Sequence, residues 1–147
     1  MGDLDNDGLT DVLILAQNGP LAFFYNLGPG GHFLTLRLEG RAANRDGVGA
    51  CVRVTASGRP QTAWRLGGGS FLSASDDRLH FSLGATSRIE AIEVRWPSRR
   101  VDRYTDLAAD TAYLLREGQA QASPLRGWRR PLSFRVPLPF REPRLTR

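Results

Sequence analysis

Residues 79–96 read LHFSLGATSRIEAIEVRW, and the fold turns on this stretch. Leu79, Phe81 and Leu83 alternate with His80 and Ser82, and further on Ile92, Val94 and Trp96 alternate with Glu93 and Arg95. A period of two residues puts the apolar set on one face of a half-buried strand. The pattern recurs outward. Leu34, Leu36 and Leu38 oppose Thr35, Arg37 and Glu39, while Ala50, Val52, Val54 and Ala56 alternate with Cys51, Arg53 and Thr55. Residues 60–66 and 111–116 read as further strands, and Trp96-Pro97-Ser98-Arg99 as a hairpin turn returning through Val101 to Tyr104. No segment sustains a helical period; the exception expected is a turn or short helical piece at Asp106 to Asp110. Many short strands with one apolar face, separated by Gly, Pro, Asn and Asp, predict an all-β chain whose centre, residues 32–117, is an antiparallel β-sandwich.

On the upstream side, residues 12–17 (VLILAQ) and 21–26 (LAFFYN) read as two short strands around the turn Asn18-Gly19-Pro20, and Gly28-Pro29-Gly30-Gly31 breaks the chain. Downstream, residues 118–147 carry five prolines and no strand period, which predicts an extended Pro/Arg-rich tail or linker. The chain therefore divides into 1–27, a linker at 28–31, the sandwich at 32–117 and the tail at 118–147.

A length of 147 residues with 41% apolar content suffices for one domain with a core plus appendages. The formal net charge of +5 is uneven: residues 1–117 hold 13 Arg against 14 acidic residues, and residues 118–147 hold 7 Arg against Glu142 alone. The tail arginines are scattered among prolines without the aromatic spacing of a nucleic-acid platform, so no nucleic-acid partner is expected. Cys51 is alone, which excludes an intrachain disulfide. No run of 18 apolar residues exists, so no membrane-spanning segment is read either.

The N-terminus spaces its acids as D-x-D-x-D-G-x-x-D: Asp3, Asp5, Asp7, Gly8 and Asp11. Two carboxylates about 4 Å apart repel by roughly 4 kcal/mol at an effective dielectric near 20, so a folded cluster of four asks for a counter-ion. Alternate side-chain oxygens with a glycine at the bend suit a hard cation, and Ca2+ accepts the irregular oxygen cage more readily than Mg2+. The expected ligands are Asp3, Asp5, Asp7 and Asp11 with the carbonyl of Leu9. An EF-hand is excluded, since the twelfth loop position is Ile14 and the following residues are strand-like. The competing reading is a solvated acidic turn without an ion.

The densest polar cluster after the glycine triplet Gly67-Gly68-Gly69 is Ser70, Ser73, Ser75, Asp76, Asp77 and His80. It lacks a G-x-S-x-G nucleophile elbow, so catalysis is not expected. His32 has no partner legible in the sequence. Gly47, Gly49 and the triplet suit either a bulge or a binding loop, with local geometry the favoured reading. Trp64, Phe71, Phe81 and Trp96 suit core packing better than stacking on a sugar ring.

Two resemblances attach to these stretches. GDLDNDGLTDVLIL, residues 2–15, is similar to the calcium loop of the FG-GAP or VCBS repeat of integrin-type β-propellers, with Asp3, Asp5, Asp7 and Asp11 on the family's ligand positions. That likeness reaches residue 26 or so and implies a partial propeller blade, its other blades lying upstream. Residues 32–117 resemble the UnbV/ASPIC domain, which follows such repeats in cartilage acidic protein-like bacterial proteins; the carrying blocks are Asn44 to Ala50, Gly67 to Gly84 and Ile92 to Ser98. Cys51 and Arg99 depart from the expected pattern. Arg99 stands where that family usually has glycine, which predicts a different turn geometry.

The resemblance implies a non-catalytic, calcium-binding module, secreted, periplasmic or at the cell surface, acting in adhesion or in binding a protein or carbohydrate ligand. The chain would be the C-terminal part of a larger propeller protein. The binding-loop candidates are Asn44, Arg45, Ser70, Ser73, Ser75, Asp76 and His80. The alternative is an enzyme or accessory factor in secondary-metabolite biosynthesis.

Overall fold

The computed structural model describes residues 1–28, 30–69, 71 and 76–127. Ser70, Ser73 and Ser75, Pro29 of the expected linker and residues 128–147 of the expected tail lie outside the described residues. Ten strands follow in order: β1 (Val12–Leu15), β2 (Leu21–Phe24), β3 (His32–Glu39), β4 (Cys51–Ala56), β5 (Arg59–Trp64), β6 (Leu79–Gly84), β7 (Arg88–Arg95), β8 (Val101–Ala108), β9 (Thr111–Arg116) and β10 (Ser123–Pro124). There is no helix among the described residues, and none that is long and apolar enough to cross a membrane. Where a turn or short helical piece was expected, β8 runs on to Ala108, and Asp106 and Asp110 take left-handed backbone angles of φ 58° and 57°.

Two four-stranded sheets, ordered β10-β9-β3-β6 and β5-β4-β7-β8, pack as a sandwich around one core, and β1 and β2 form a separate hairpin. The alternating residues point inward as their period requires: Leu34, Leu36, Val52, Val54, Ile92, Val94 and Leu115 are fully buried. Burying each such side chain contributes about 1.5–3 kcal/mol. Phe81 and Trp96 belong to this core, whereas Trp64 and Phe71 are exposed.

The expectation of a purely antiparallel sandwich needs correction. Leu34 to Glu39 of β3 pair in parallel with Thr111 to Arg116 of β9, so the first sheet is mixed. Parallel neighbours need a long crossover. Here the whole second sheet, together with β6, lies between the two strands in sequence.

Two further departures shape the site. Thr35, on the face expected to meet solvent, is fully buried, and so is its neighbour Phe33. The cover is the N-terminal segment: a Cβ at Gly8 would lie 2.1 Å from the Phe33 ring. Pairing also continues beyond residue 117, since Ser123 and Pro124 face Leu114 and Tyr113, and the Leu125 N–H donates to the Ala112 carbonyl at 2.9 Å.

Candidate functional site

Residues 2–11 form a closed loop. Gly2 and Asp11 exchange backbone hydrogen bonds at 3.2 and 2.8 Å, so the acids between them are gathered on a ring rather than strung along a strand. Within it, Asp5 Oδ1 accepts from the Asp7 N–H at 3.2 Å and Asp7 Oδ1 from the Leu9 N–H at 2.8 Å, two successive turns built by short acidic side chains. Asp3 Oδ2 accepts from the Gly8 N–H at 3.1 Å. Asp11 accepts from the Leu4 N–H and, across the hairpin, from the Asn26 N–H, both at 3.0 Å. Gly8 takes φ 89°, a conformation costly for other residues, and its missing side chain lets the loop lie on Phe33.

Asp3, Asp5 and Asp11 each bring one carboxylate oxygen to within 4.8 Å of the others. Asp7 is not in that group. Asp3 and Asp11 are both 1% exposed, and Asp3 Oδ1 is the buried side-chain oxygen without a hydrogen-bond partner among the described residues. Burial raises the proton affinity of Asp3 against the opposing pull of the Gly8 N–H, His80 and Arg78, and Asp5 adds to the rise. Burial likewise raises that of Asp5, against the Asp7 N–H and with the help of the neighbouring Asp7 and Asp11 charges. The ring thus concentrates negative charge that its own hydrogen bonds leave uncompensated.

The sandwich side of the loop holds Asp76, Arg78 and His80, at the approach to β6 and on it. Arg78 Nε donates to both oxygens of Asp76 at 3.0 and 2.9 Å, and Nη2 reaches Oδ2 at 2.6 Å. Burial disfavours an ionised Asp76, but hydrogen bonds from His80 and Arg78 outweigh it and hold the carboxyl well below its usual range. His80 Nε2 lies 3.2 Å from Asp76 Oδ2 and Nδ1 lies 3.2 Å from Thr35 Oγ1. This Asp–His–Thr order has the connectivity of a nucleophilic triad, but the threonine it ends on is fully buried.

Asn44 and Arg45, the other binding-loop candidates, lie apart from this cluster. Asn44 staples its own loop, accepting from the Val48 N–H at 2.8 Å and donating to the Val48 carbonyl at 2.7 Å. Arg45 lines a shallow hollow of about 130 Å3 with Arg37, Glu39 and Asp46. Gly47 turns at φ 63° where a Cβ would meet Leu38 at 2.8 Å and the Trp96 ring at 3.4 Å, which fits the geometric reading of that glycine.

Several polar anchors were not legible in the sequence. Buried Glu117 accepts from the N–H groups of Arg41, Ala42 and Ala43 at 2.7, 2.8 and 2.8 Å and from the Ser98 hydroxyl. Its burial opposes ionisation, yet these donors hold the carboxyl down at about 2. Asp102 accepts from Trp96 Nε1 at 2.8 Å, from the Gly118 N–H at 2.7 Å and from Arg100 at 2.8 Å. His32, whose partner the sequence does not reveal, pairs through Nδ1 with Asp110 Oδ2 at 2.8 Å. The partners lie up to 78 residues apart, beyond the reach of any local pattern.

Residues 40–122, more than half of the chain, match the family model described as ASPIC and UnbV. The chain belongs to that family. None of the curated proteins matches it. The ASPIC and UnbV match opens just after β3 and closes just before β10, a little later at each end than the 32–117 expected. Within the matched residues, Asn44 closes its own loop onto Val48, Glu117 joins the Arg41–Ala43 amides to Ser98, and Asp102 holds Trp96.

Proposed function

We propose that the chain is a non-catalytic, calcium-stabilised ASPIC and UnbV module in which the N-terminal ring takes a calcium ion. The observation that carries this reading is the unpartnered, buried Asp3 Oδ1, set in a ring where Asp5 and Asp11 each bring a further oxygen. A buried carboxylate oxygen without a donor is costly, and a hard cation with oxygen ligands in flexible geometry answers it. Asp7 and the Leu9 carbonyl would complete the shell by a small closure of the loop.

The same reading takes residues 1–27 as part of an FG-GAP or VCBS propeller blade. In support, Leu13, Ile14, Leu15, Leu21 and Phe24 of the β1–β2 hairpin are exposed, and neither strand pairs with a further strand among the described residues. An isolated hairpin of this kind is marginal in water, so a larger sheet is its natural setting. Millimolar calcium outside the cell would fill a site of modest affinity, which supports reading the module as a secreted, periplasmic or cell-surface one that acts in adhesion or in binding a protein or carbohydrate.

Calorimetric titration of the 147-residue chain with CaCl2 and MgCl2 tests the metal. Saturable heat with calcium that is lost in Asp5→Ala is expected. Indistinguishable heats from the two proteins would remove the calcium reading.

A further inference from the structure

One side chain joins the aspartate ring to the sandwich. Arg78, at the entrance to β6 and 17% exposed, spreads its guanidinium over two partners of the ring: Nη2 donates to the Asp3 carbonyl at 2.9 Å and Nη1 to Asn6 Oδ1 at 2.7 Å. We infer that Arg78 is the positioning residue of the calcium ring, a side chain of the ASPIC and UnbV domain that sets the backbone at Asp3 and the turn at Asn6 before an ion arrives. The inference rests on the calcium reading above and adds to it the domain that shapes the site.

Three observations carry it. The anchored points are those on which ligand geometry depends, since the direction of the Asp3 carboxylate follows from the backbone whose carbonyl Arg78 holds. Asn6 sits at φ 61°, in the left-handed region, and a turn strained in that way persists where its surroundings hold it. Lastly, a guanidinium beside a cation site would repel the ion if it stood alone, but Asp76 takes Arg78 Nε on both oxygens and offsets part of its charge. The ring meets an ion pair that offers directed N–H donors.

The role calls for the planar fork of arginine, which lysine lacks. Groups that orient metal ligands from outside the first shell typically change metal affinity by about 10- to 100-fold when replaced. Arg78→Lys keeps the charge and removes the fork; Asn6→Ala removes one anchor from the loop side, adds a left-handed backbone penalty at φ 61°, and leaves the sandwich untouched. Two readouts on the full chain separate the alternatives: calcium affinity by calorimetry, and hydrogen exchange at the Gly8 and Leu9 amides in calcium-free buffer.

The expected result is an affinity weakened about 10- to 100-fold in Arg78→Lys, a smaller loss in Asn6→Ala, and faster loop exchange in both without calcium. Wild-type affinity and wild-type exchange in both variants would overturn the positioning role while leaving the calcium reading intact. A wild-type chain that takes up no calcium would overturn both. Should Arg78→Lys fail to fold, Asn6→Ala decides alone: unchanged affinity and exchange there reject the inference.

Discussion

At Arg99 the backbone takes φ 71°, the left-handed conformation in which a Cβ crowds the following carbonyl. The sequence suggested that arginine in place of glycine would change the turn. The turn is closed by the Arg99 N–H on the Trp96 carbonyl and the Trp96 N–H on the Arg100 carbonyl, both at 2.9 Å. The arginine accepts a strain that glycine would not feel. Arg99→Gly is therefore expected to raise stability by about 0.5–1 kcal/mol, the relief of the left-handed strain less the added freedom of the unfolded chain. Denaturant unfolding of both proteins checks it, and a lower midpoint in the variant would reject the strain argument. Single residues were the least legible scale in the sequence. The aspartates announced themselves by spacing, but Glu117 and Asp102 look like ordinary surface acids until strands distant in the chain bring donors to them.

Strands were read more securely, because an apolar period of two is written in adjacent residues and needs no knowledge of partners. The alternations at Leu34–Leu38, Val52–Ala56 and Ile92–Trp96 all became core-facing rows. Pairing was not legible in the same way: the parallel contact of β3 with β9 depends on a crossover that spans the other sheet. Nor was the cover over Phe33, on the strand face that the pattern assigns to solvent and that a docked loop buries. That docking rests on Gly8, where any side chain would strike the Phe33 ring. Gly8→Ala, adding both a Cβ clash and a left-handed penalty, is expected to lift the aspartate ring from β3 and to destabilise the chain by about 2–4 kcal/mol. Limited proteolysis within residues 2–11 should quicken with it, and an unchanged digestion pattern together with an unchanged unfolding midpoint would contradict the packing described.

Two pairs of carboxylates, Glu117 with Asp102 and Asp3 with Asp5, respond to pH in opposite senses, and calcium acts on the second. Glu117, whose carboxyl falls from an ordinary 4.5 to about 2 on folding, contributes stability that is complete above 4.5 and lost as pH falls through 2. Asp102, also held below its usual value of 3.8, behaves alike. In Asp3 and Asp5 the folded-state affinity for protons is raised above 3.8, so without an ion they weaken the fold at neutral pH and protonation relieves the penalty. Bound calcium would remove that penalty at neutral pH by neutralising the carboxylates, and would be displaced by protons on acidification. At a free concentration 100 times its dissociation constant, an ion bound only by the folded chain stabilises it by about 2.7 kcal/mol, on the order of 10 °C in the midpoint of thermal unfolding for a domain of this size. The calcium-induced shift should thus be full at pH 7, shrink on acidification as Asp3 and Asp5 take up protons, and be absent at every pH in Asp5→Ala, while the loss of stability below 4.5 set by Glu117 and Asp102 persists in both proteins. Thermal melts from pH 7 to pH 3, with calcium and with chelator, measure the two effects on one axis. A calcium shift that did not shrink with acidification, or that appeared in Asp5→Ala, would mean that the ion binds elsewhere.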